Sequence, residues 1–515
     1  MTNKNDKAKG LSKSRYMLSI QCLKALWLKN YKFNEPEDVS TNARIEEGRE
    51  VGRYARELFK PFVDVTVERD GGIDIKAMIE RTKEEMAKGT DVICEASFSS
   101  ENIFCAVDIL RKTPDGWAVY EVKSTTFSMT SDKKKDLKEY ASDIAYQKWV
   151  LEQCGVNVTD TYLVCLNKDY VRQGELDIQE LFVIVDMKEL VDNEYLKVPA
   201  QVKQALEVLN NDQEPDVDLS INCKSSSKYC DYFNYCKSLH GVPDDKPTIF
   251  ELHGMWLSTM LKYYNAGQIL FEDLRNKKLS PINHLQIECE LNNTEHIDVN
   301  SIRNFLDTLR YPLYFLDFET LQLAIPQYDN HKPYQQITFQ YSLHIKESAD
   351  AEYQHKEFLA PSDGSDPRRA LAEQLCKDIP MDVCTLAFNK GFECGRIKEL
   401  ATIYPDLAVH LMNIHDNIKD LLVSFSNGCY YVPAMHGSFS IKNVLPALFP
   451  NEPSLDYHSL SEICRNGGDA LALFPRIKDM EPKEAEASRE ALLRYCELDT
   501  WAMVKVWEKL KEVSR

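Results

Sequence analysis

Two pairs of residues, each two positions apart on an apolar run, carry the most chemistry in this sequence: Glu121 and Lys123 in WAVYEVKS, and Asp317 and Glu319 in LYFLDFET. Along a strand, side chains at i and i+2 point to one face, so each pair is presented together. Glu121 and Lys123 set a carboxylate beside an ammonium. Asp108, expected at the end of the preceding strand IFCAVD across a Pro-Asp-Gly turn, completes that group. Carboxylates so arranged hold a divalent cation that polarises a phosphate and activates water, while lysine offsets developing negative charge, which is the chemistry of phosphodiester hydrolysis. Asp317 and Glu319 close an apolar strand, where two carboxylates repel unless a cation bridges them. Taken alone, the Glu-X-Lys pair also fits an ordinary solvent face, and a lone Asp-X-Glu is a weak signal.

Other residues fall in with these pairs. Glu95 in ICEASF precedes the Asp108 strand and is expected as an additional acidic ligand. AFNKGFECGRI sets Asn389 and Glu393 where a strand meets a helix, and LLRYCELDT spaces Tyr495 and Asp499 four apart on one helical face. Asp420 in NIKDLL is a substitute for Glu393, and Lys442, near a helix start, suits either a phosphate grip or plain packing. Cys223, Cys230 and Cys236 cluster in INCKSSSKYCDYFNYC, and Cys22 lies about 200 residues earlier. Four thiolates are the usual complement of a [4Fe–4S] cluster, and their softness favours iron–sulfur or zinc over magnesium. Zinc (Zn2+) is the alternative, although C-x6-C-x5-C departs from the C-x2-C pairs of simple zinc ribbons.

The elements that must position these residues are readable from periodicity. The first section, 1–239, contains the hairpin around Asp108 and the helix DIAYQKWVLEQCG, with Tyr146 and Gln147 near its start. The turn-rich HGVPDDKPTIF then opens a helical connector, 240–310. From 311 to 515, strands LYFLDFET, ITFQYSLHI and HKEFLA precede the helix RRALAEQLCKDI, the strand CTLAFN and the helix ECGRIKELATIY, a βββαβα order that suits a mixed sheet flanked by helices. A long helix over EAEASREALLRYCELDTWAMVKVWEKL closes the chain. An α/β multidomain protein is expected.

With 515 residues, 43% hydrophobic and 28% charged, the chain has the balance of a soluble protein of two or three domains. No apolar run approaches the roughly 20 residues of a membrane span, so no membrane partner is expected. The opening MTNKNDKAKGLSKSRY lacks the apolar stretch of a secretory signal, which points to a cytoplasmic location. The 15 cysteines, odd in number, argue against a disulfide framework. A net charge of −19 argues against broad coating of nucleic acid but leaves room for a narrow basic channel.

Asp108 followed by Glu121-Val122-Lys123 resembles the PD-(D/E)XK nucleases, and Tyr146-Gln147 resembles the Gln/Tyr motif of their RecB-like branch. With one cysteine before that core and three after it, the first section is similar to the iron–sulfur RecB-like exonucleases of the CRISPR-adaptation type. Those nucleases often carry a Gly-X-X-X-His helix, whereas EEGREVGRYAREL has no histidine. The C-terminal section resembles the DnaQ-like DEDD 3'-5' exonucleases of ribonuclease H fold. That likeness implies that Asp317, Glu319, Glu393 and Asp499 hold two cations, Mg2+ or Mn2+, and that Tyr495 orients the attacking water. Glu393 stands where the family usually has aspartate. The joined pair resembles an uncharacterised bacterial family that fuses the two nucleases.

These likenesses imply a restriction-endonuclease-like core with a four-cysteine cluster, followed by a ribonuclease-H-like domain. By the same likenesses, Asp108 and Glu121 are metal ligands of the first site, where Lys123 and Gln147 complete the catalytic set. Single-stranded DNA ends are the expected substrate, in repair, recombination or defence. The alternatives are a nucleic-acid-binding scaffold with one or both sites inactive, and a cluster that senses redox state. DNA against RNA, the protein partners and the oligomeric state are not specified by the sequence.

Overall fold

The computed structural model describes residues 10–32, 39–69, 72–225 and 228–515; the basic start, 1–9, lies outside them. The chain folds as two compact units. One comprises 1–236 together with 323–334, the other 237–322 together with 335–515. Residues 240–310, expected as a connector, belong to the second unit, where Cys289 and Ile302 join its core. The segment 323–334, expected inside the C-terminal domain, belongs to the first.

The first unit is built on a seven-stranded mixed sheet. Its strands are β1 (Leu11–Ser12), β2 (Val63–Asp64), β3 (Val92–Ser100), β4 (Ile103–Thr113), β5 (Gly116–Phe127), β6 (Val158–Asn167) and β7 (Phe182–Asp186), ordered β2-β3-β4-β5-β6-β7 with β1 beside β4. The β4–β5 hairpin turns on Pro114 and Asp115, with Thr113 opposite Gly116. Gly116 is required there, because a Cβ would meet the Asn157 carbonyl oxygen at 2.3 Å. Helices α1 (Lys13–Gln21), α2 (Leu23–Tyr31), α3 (Val39–Arg56), α4 (Ile75–Lys88) and α5 (Lys138–Gln153) precede or link the strands.

Alternation along β5 decides where the chemistry goes. Ala118 and Tyr120 pack with Val51 and Ala55 of α3, and with Ala324 and Ile325 of the 323–334 segment. Val119 packs with Ile144 and Ala145 of α5, so Glu121 and Lys123, in phase with Val119, lie on the α5 face. The backbone N–H of Arg172 donates to the His331 carbonyl (3.0 Å) and its guanidinium to those of Pro326 (2.9 Å) and Gln327 (3.0 Å), which fixes the segment to its unit.

The second unit is built on a five-stranded mixed sheet. Its strands are β8 (Leu313–Gln322), β9 (Gln336–Lys346), β10 (Tyr353–Leu359), β11 (Cys384–Ala387) and β12 (Ile418–Asp420), ordered β10-β9-β8-β11-β12. β8, β9 and β10 pair antiparallel, while β8, β11 and β12 pair parallel. The unit's helices include α6 (Arg368–Asp378), α7 (Gly391–Ile403), α8 (Ala408–Asp416), α9 (Ile441–Leu448) and α10 (Pro482–Val513). The expected βββαβα order is present; α8 and the short β12, which follow it, carry no clear periodicity in the sequence.

On β8, Tyr314, Leu316 and Phe318 pack against α6, α7 and α8. Leu313 and Phe315 pack against Leu498, Ala502 and Val506 of α10. Asp317 and Glu319 continue the α10 face. Among the described residues, no helix is long and apolar enough to cross a membrane.

Phe315 is fully buried, with its ring 5.8 Å from that of Trp507. Phe315→Ala should cost about 3–5 kcal/mol through lost transfer energy and the cavity left behind. Urea unfolding should show that loss in the transition of the second unit and leave the first unit's unchanged.

Candidate active sites

Hairpin pairing between β4 and β5 extends only as far as Ile109 opposite Tyr120. Asp108 therefore lies within β4, not at its end, at the fork where the two strands part. Its Oδ2 accepts the N–H of Val122 at 2.7 Å. Past the fork, Glu121 is 1% exposed and Lys123 reaches over it, with Nζ 2.6 Å from Glu121 Oε1.

Two residues the sequence did not single out complete the cluster. Asp143 of α5 accepts from Lys123 at 2.7 Å, and Lys13, the first residue of α1, donates to Glu121 Oε1 at 2.8 Å while standing 3.7 Å from Asp143. Gln147 donates to Glu121 Oε2 (2.7 Å) and to Asp143 Oδ1 (3.1 Å). It sits in the middle of α5, not at a helix start, and its spacing of four from Asp143 was the signal available for that acid. Tyr146 turns the other way: its hydroxyl donates to the Leu11 carbonyl at 2.6 Å and its ring stacks on Tyr16.

The first site is therefore nearly balanced in charge, with three carboxylates and two lysines. Burial alone would raise the Glu121 carboxyl, but Lys13 and Lys123 overcome it and hold it well below the usual carboxylate range. At Asp108, burial reinforced by the Glu121 charge outweighs the pull of Lys13 and of the Val122 N–H and pushes the carboxyl up to about 7. Glu95 is drawn away from the role expected for it. It bulges out of β3 with a φ of 58° and pairs at 2.5 Å with Arg56, which also holds Asp64 at 2.5 Å. The helix that lacks a histidine supplies this arginine.

Cys22 is the extended residue between α1 and α2. Gln21 and Asn222 exchange side-chain-to-backbone hydrogen bonds of 3.3 and 3.2 Å, which join that junction to the Cys223 turn, and the Cys230 N–H donates to the Cys223 carbonyl at 2.8 Å. Burial pushes the Cys236 thiol up to about 11; Lys24 opposes this and the other three sulfurs add to it. All fifteen cysteines are free thiols.

In the second unit, β11 pairs with β8 only from Leu313 to Phe315. Asp317 and Glu319 lie just beyond that edge, mid-strand and still paired with Ser342 and Gln340 of β9. Across from them, α10 presents Tyr495 and Asp499. Tyr457, from a single turn outside any periodic segment, donates to Asp499 Oδ1 at 2.5 Å. Lys442, at the start of α9, donates to the Tyr495 hydroxyl at 3.2 Å, and the Cys496 thiol lies 3.9 Å from Asp317 Oδ2. Glu393, in the first turn of α7, is 3% exposed, and its Oε2 has no hydrogen-bond partner.

Asp420 does not stand in for Glu393. Its carboxylate accepts the N–H groups of Asn389, Lys390 and Leu422 at 2.9, 3.2 and 3.0 Å. It thereby steadies the turn leading into α7, where Asn389 adopts a φ of 70°.

Burial pushes every acid of this site upward, and mutual repulsion adds to it. Asp317 rises well above its ordinary value through burial and then the Asp499, Glu319 and Glu393 charges. Glu319, through burial and Asp499, and Glu393, through burial and then Asp420, each reach about 8. Asp499 is raised by burial against the pull of Tyr457, Lys442 and Tyr495. A cation shared by these acids would offset the repulsion that a single lysine leaves.

Residues 314–440, which include Asp317, Glu319 and Glu393, match the model of a domain of unknown function, DUF2779. The chain is similar to the uncharacterized protein MG366 of Mycoplasma genitalium, 26% identical over 224 residues, which are 40% of this chain and 33% of that one. It is similar to the MG366 homolog of Mycoplasma pneumoniae, 23% identical over 258 residues, 47% of this chain and 39% of that one. It is also similar to the uncharacterized protein UU173 of Ureaplasma parvum, 26% identical over 225 residues, 39% of this chain and 31% of that one. The matches span about a third of the length of these curated relatives.

The raised carboxyls set the sign of a pH effect. Without a cation, the folded protein keeps protons on Glu319 and Glu393 that the unfolded chain releases near 4.5, so stability should fall as pH rises from about 4.5 to about 8. Thermal melts in chelator should show this decline, and Mn2+ should raise the melting temperature more at about pH 8 than at about pH 5. Equal shifts at both pH values would remove cation binding by these acids.

Proposed function

We propose that the chain is a metal-dependent nuclease with two phosphodiester-hydrolysing sites, acting on single-stranded DNA ends. The observation that carries this reading is the convergence of half-buried Asp317 with buried Glu319, Glu393 and Asp499, whose charges act on Asp317 together with that of Lys442. In this reading the C-terminal domain is a ribonuclease-H-like DEDD exonuclease and the N-terminal one a PD-(D/E)XK nuclease. A Mg2+ or Mn2+ ion held by these acids would polarise the phosphate and acidify water. Tyr495, held by Lys442, orients that water through its hydroxyl, and Lys442 offsets charge on the phosphate oxygens. In the first site, Asp108 and Glu121 would hold a cation and Lys123 would offset charge on the phosphate.

Cys22, Cys223, Cys230 and Cys236 belong in this reading to a [4Fe–4S] cluster that braces the first unit. The softness of four thiolates and a C-x6-C-x5-C spacing unlike the C-x2-C pairs of zinc ribbons favour the cluster over zinc in this reading. Anaerobically purified protein should carry iron and sulfide with a visible chromophore, lost in Cys230→Ser.

One observation favours a second version, in which only the C-terminal site turns over. Lys13 and Lys123 already balance two of the three carboxylates of the first site, and Arg56 occupies Glu95. End-labelled single-stranded DNA with Mn2+ separates the versions. Asp317→Ala should lower degradation at least ~10²-fold if the second site dominates. Lys123→Ala should remove the remainder only if the first site is live. Unchanged cleavage in the double variant would overturn both assignments, and no cleavage of DNA or RNA by the unmodified protein would leave a nucleic-acid-binding scaffold.

A further inference from the structure

Outside the acid site, the second unit carries another cluster of ligand-type side chains. His344 of β9, His355 of β10 and Glu497 of α10 each offer one ligand atom within 4.8 Å of the others. Two hydroxyls decide which nitrogens remain. Thr500 Oγ1 bonds His344 Nδ1 at 2.8 Å, which leaves Nε2 as its ligand atom. Ser342 Oγ bonds His355 Nε2 at 2.9 Å, which leaves Nδ1, the nitrogen 3.9 Å from Glu497 Oε1. Ser342 and Thr500 also bond each other at 2.7 Å, so both imidazoles are oriented by one buried hydroxyl pair. Hydrogen bonds of this kind fix the tautomer and ring orientation of metal-binding histidines.

We infer that His344, His355 and Glu497 form a binding site for a zinc-class divalent transition cation, separate from the magnesium- or manganese-type acid site. Two imidazoles and one carboxylate suit zinc among divalent ions, while an all-oxygen set suits magnesium and manganese. The three residues line a cavity of about 630 Å³ that also receives Arg494, Ser459 and Trp501. Three protein ligands facing a cavity leave a fourth position for water or for an anionic group approaching Arg494. The ion would tie α10, the helix carrying Tyr495 and Asp499, to the β9–β10 hairpin.

Zinc retained by the full chain after equilibrium dialysis against excess Mg2+ tests this. Wild type should retain one more Zn2+ per chain than His355→Ala or Glu497→Ala. Both variants should bind that ion at least tenfold more weakly, with wild-type circular dichroism. Both residues lie at the surface, and if one variant misfolds the other decides. Equal zinc in wild type and in a folded variant overturns the site. The readout is bound zinc, so it stands or falls independently of nuclease activity.

Discussion

Carboxylates buried beside one another repel, and the second unit places four of them where water cannot screen the repulsion. The rest of that unit can be understood from how this is contained. β8 delivers two acids on the face where β11 stops, α10 delivers Asp499 with Tyr495, and α7 brings Glu393 in its first turn. Tyr457 donates to Asp499 and Lys442 to Tyr495, and together with the Tyr495 hydroxyl they lessen the repulsion without cancelling it. The first unit meets the same difficulty differently. There two lysines stand among three carboxylates and hold Glu121 low, while burial and the Glu121 charge still raise Asp108 and Asp143. The second unit thus leaves the repulsion among its acids largely uncompensated by its own side chains, while the first carries most of its compensation in the chain.

How much of this was legible in the sequence follows from how local each signal is. Asp317 with Glu319, and Glu121 with Lys123, were visible because period-two alternation and apolar neighbours fix both strand and face within eight residues. Tyr495 and Asp499 were visible through helical spacing, and Asp143 was available by the same rule, four residues before Gln147. Lys13 was not, since a lysine in a polar, basic stretch resembles any solvated side chain. Tyr457 was not, because it comes from a single turn in a loop. The fate of Glu95 depended on Arg56, 39 residues away, and the role of Asp420 on three backbone N–H groups that no pattern announces.

The strand ends were misjudged for one physical reason. An acid in an apolar run reads as the end of a strand, yet β4 and β8 both continue past theirs. Past Asp108, β4 pairs with both β3 and β5; past Asp317 and Glu319, β8 stays extended because β9 still pairs with it although β11 has stopped. A half-open strand of this kind supplies both rigidity and access, and its signature lies in the register of the neighbours.

The segment 323–334 has a consequence for the order in which the protein is made. Ala324 and Ile325 belong to the core of the first unit, and Arg172 finds its acceptors at residues 326, 327 and 331. A ribosome that has finished residue 236 has therefore not yet supplied all of that core. At about 5–20 residues per second, the next roughly 100 residues take about 5–20 s. During that interval the first unit waits, and β8 of the second is synthesised before the first can close.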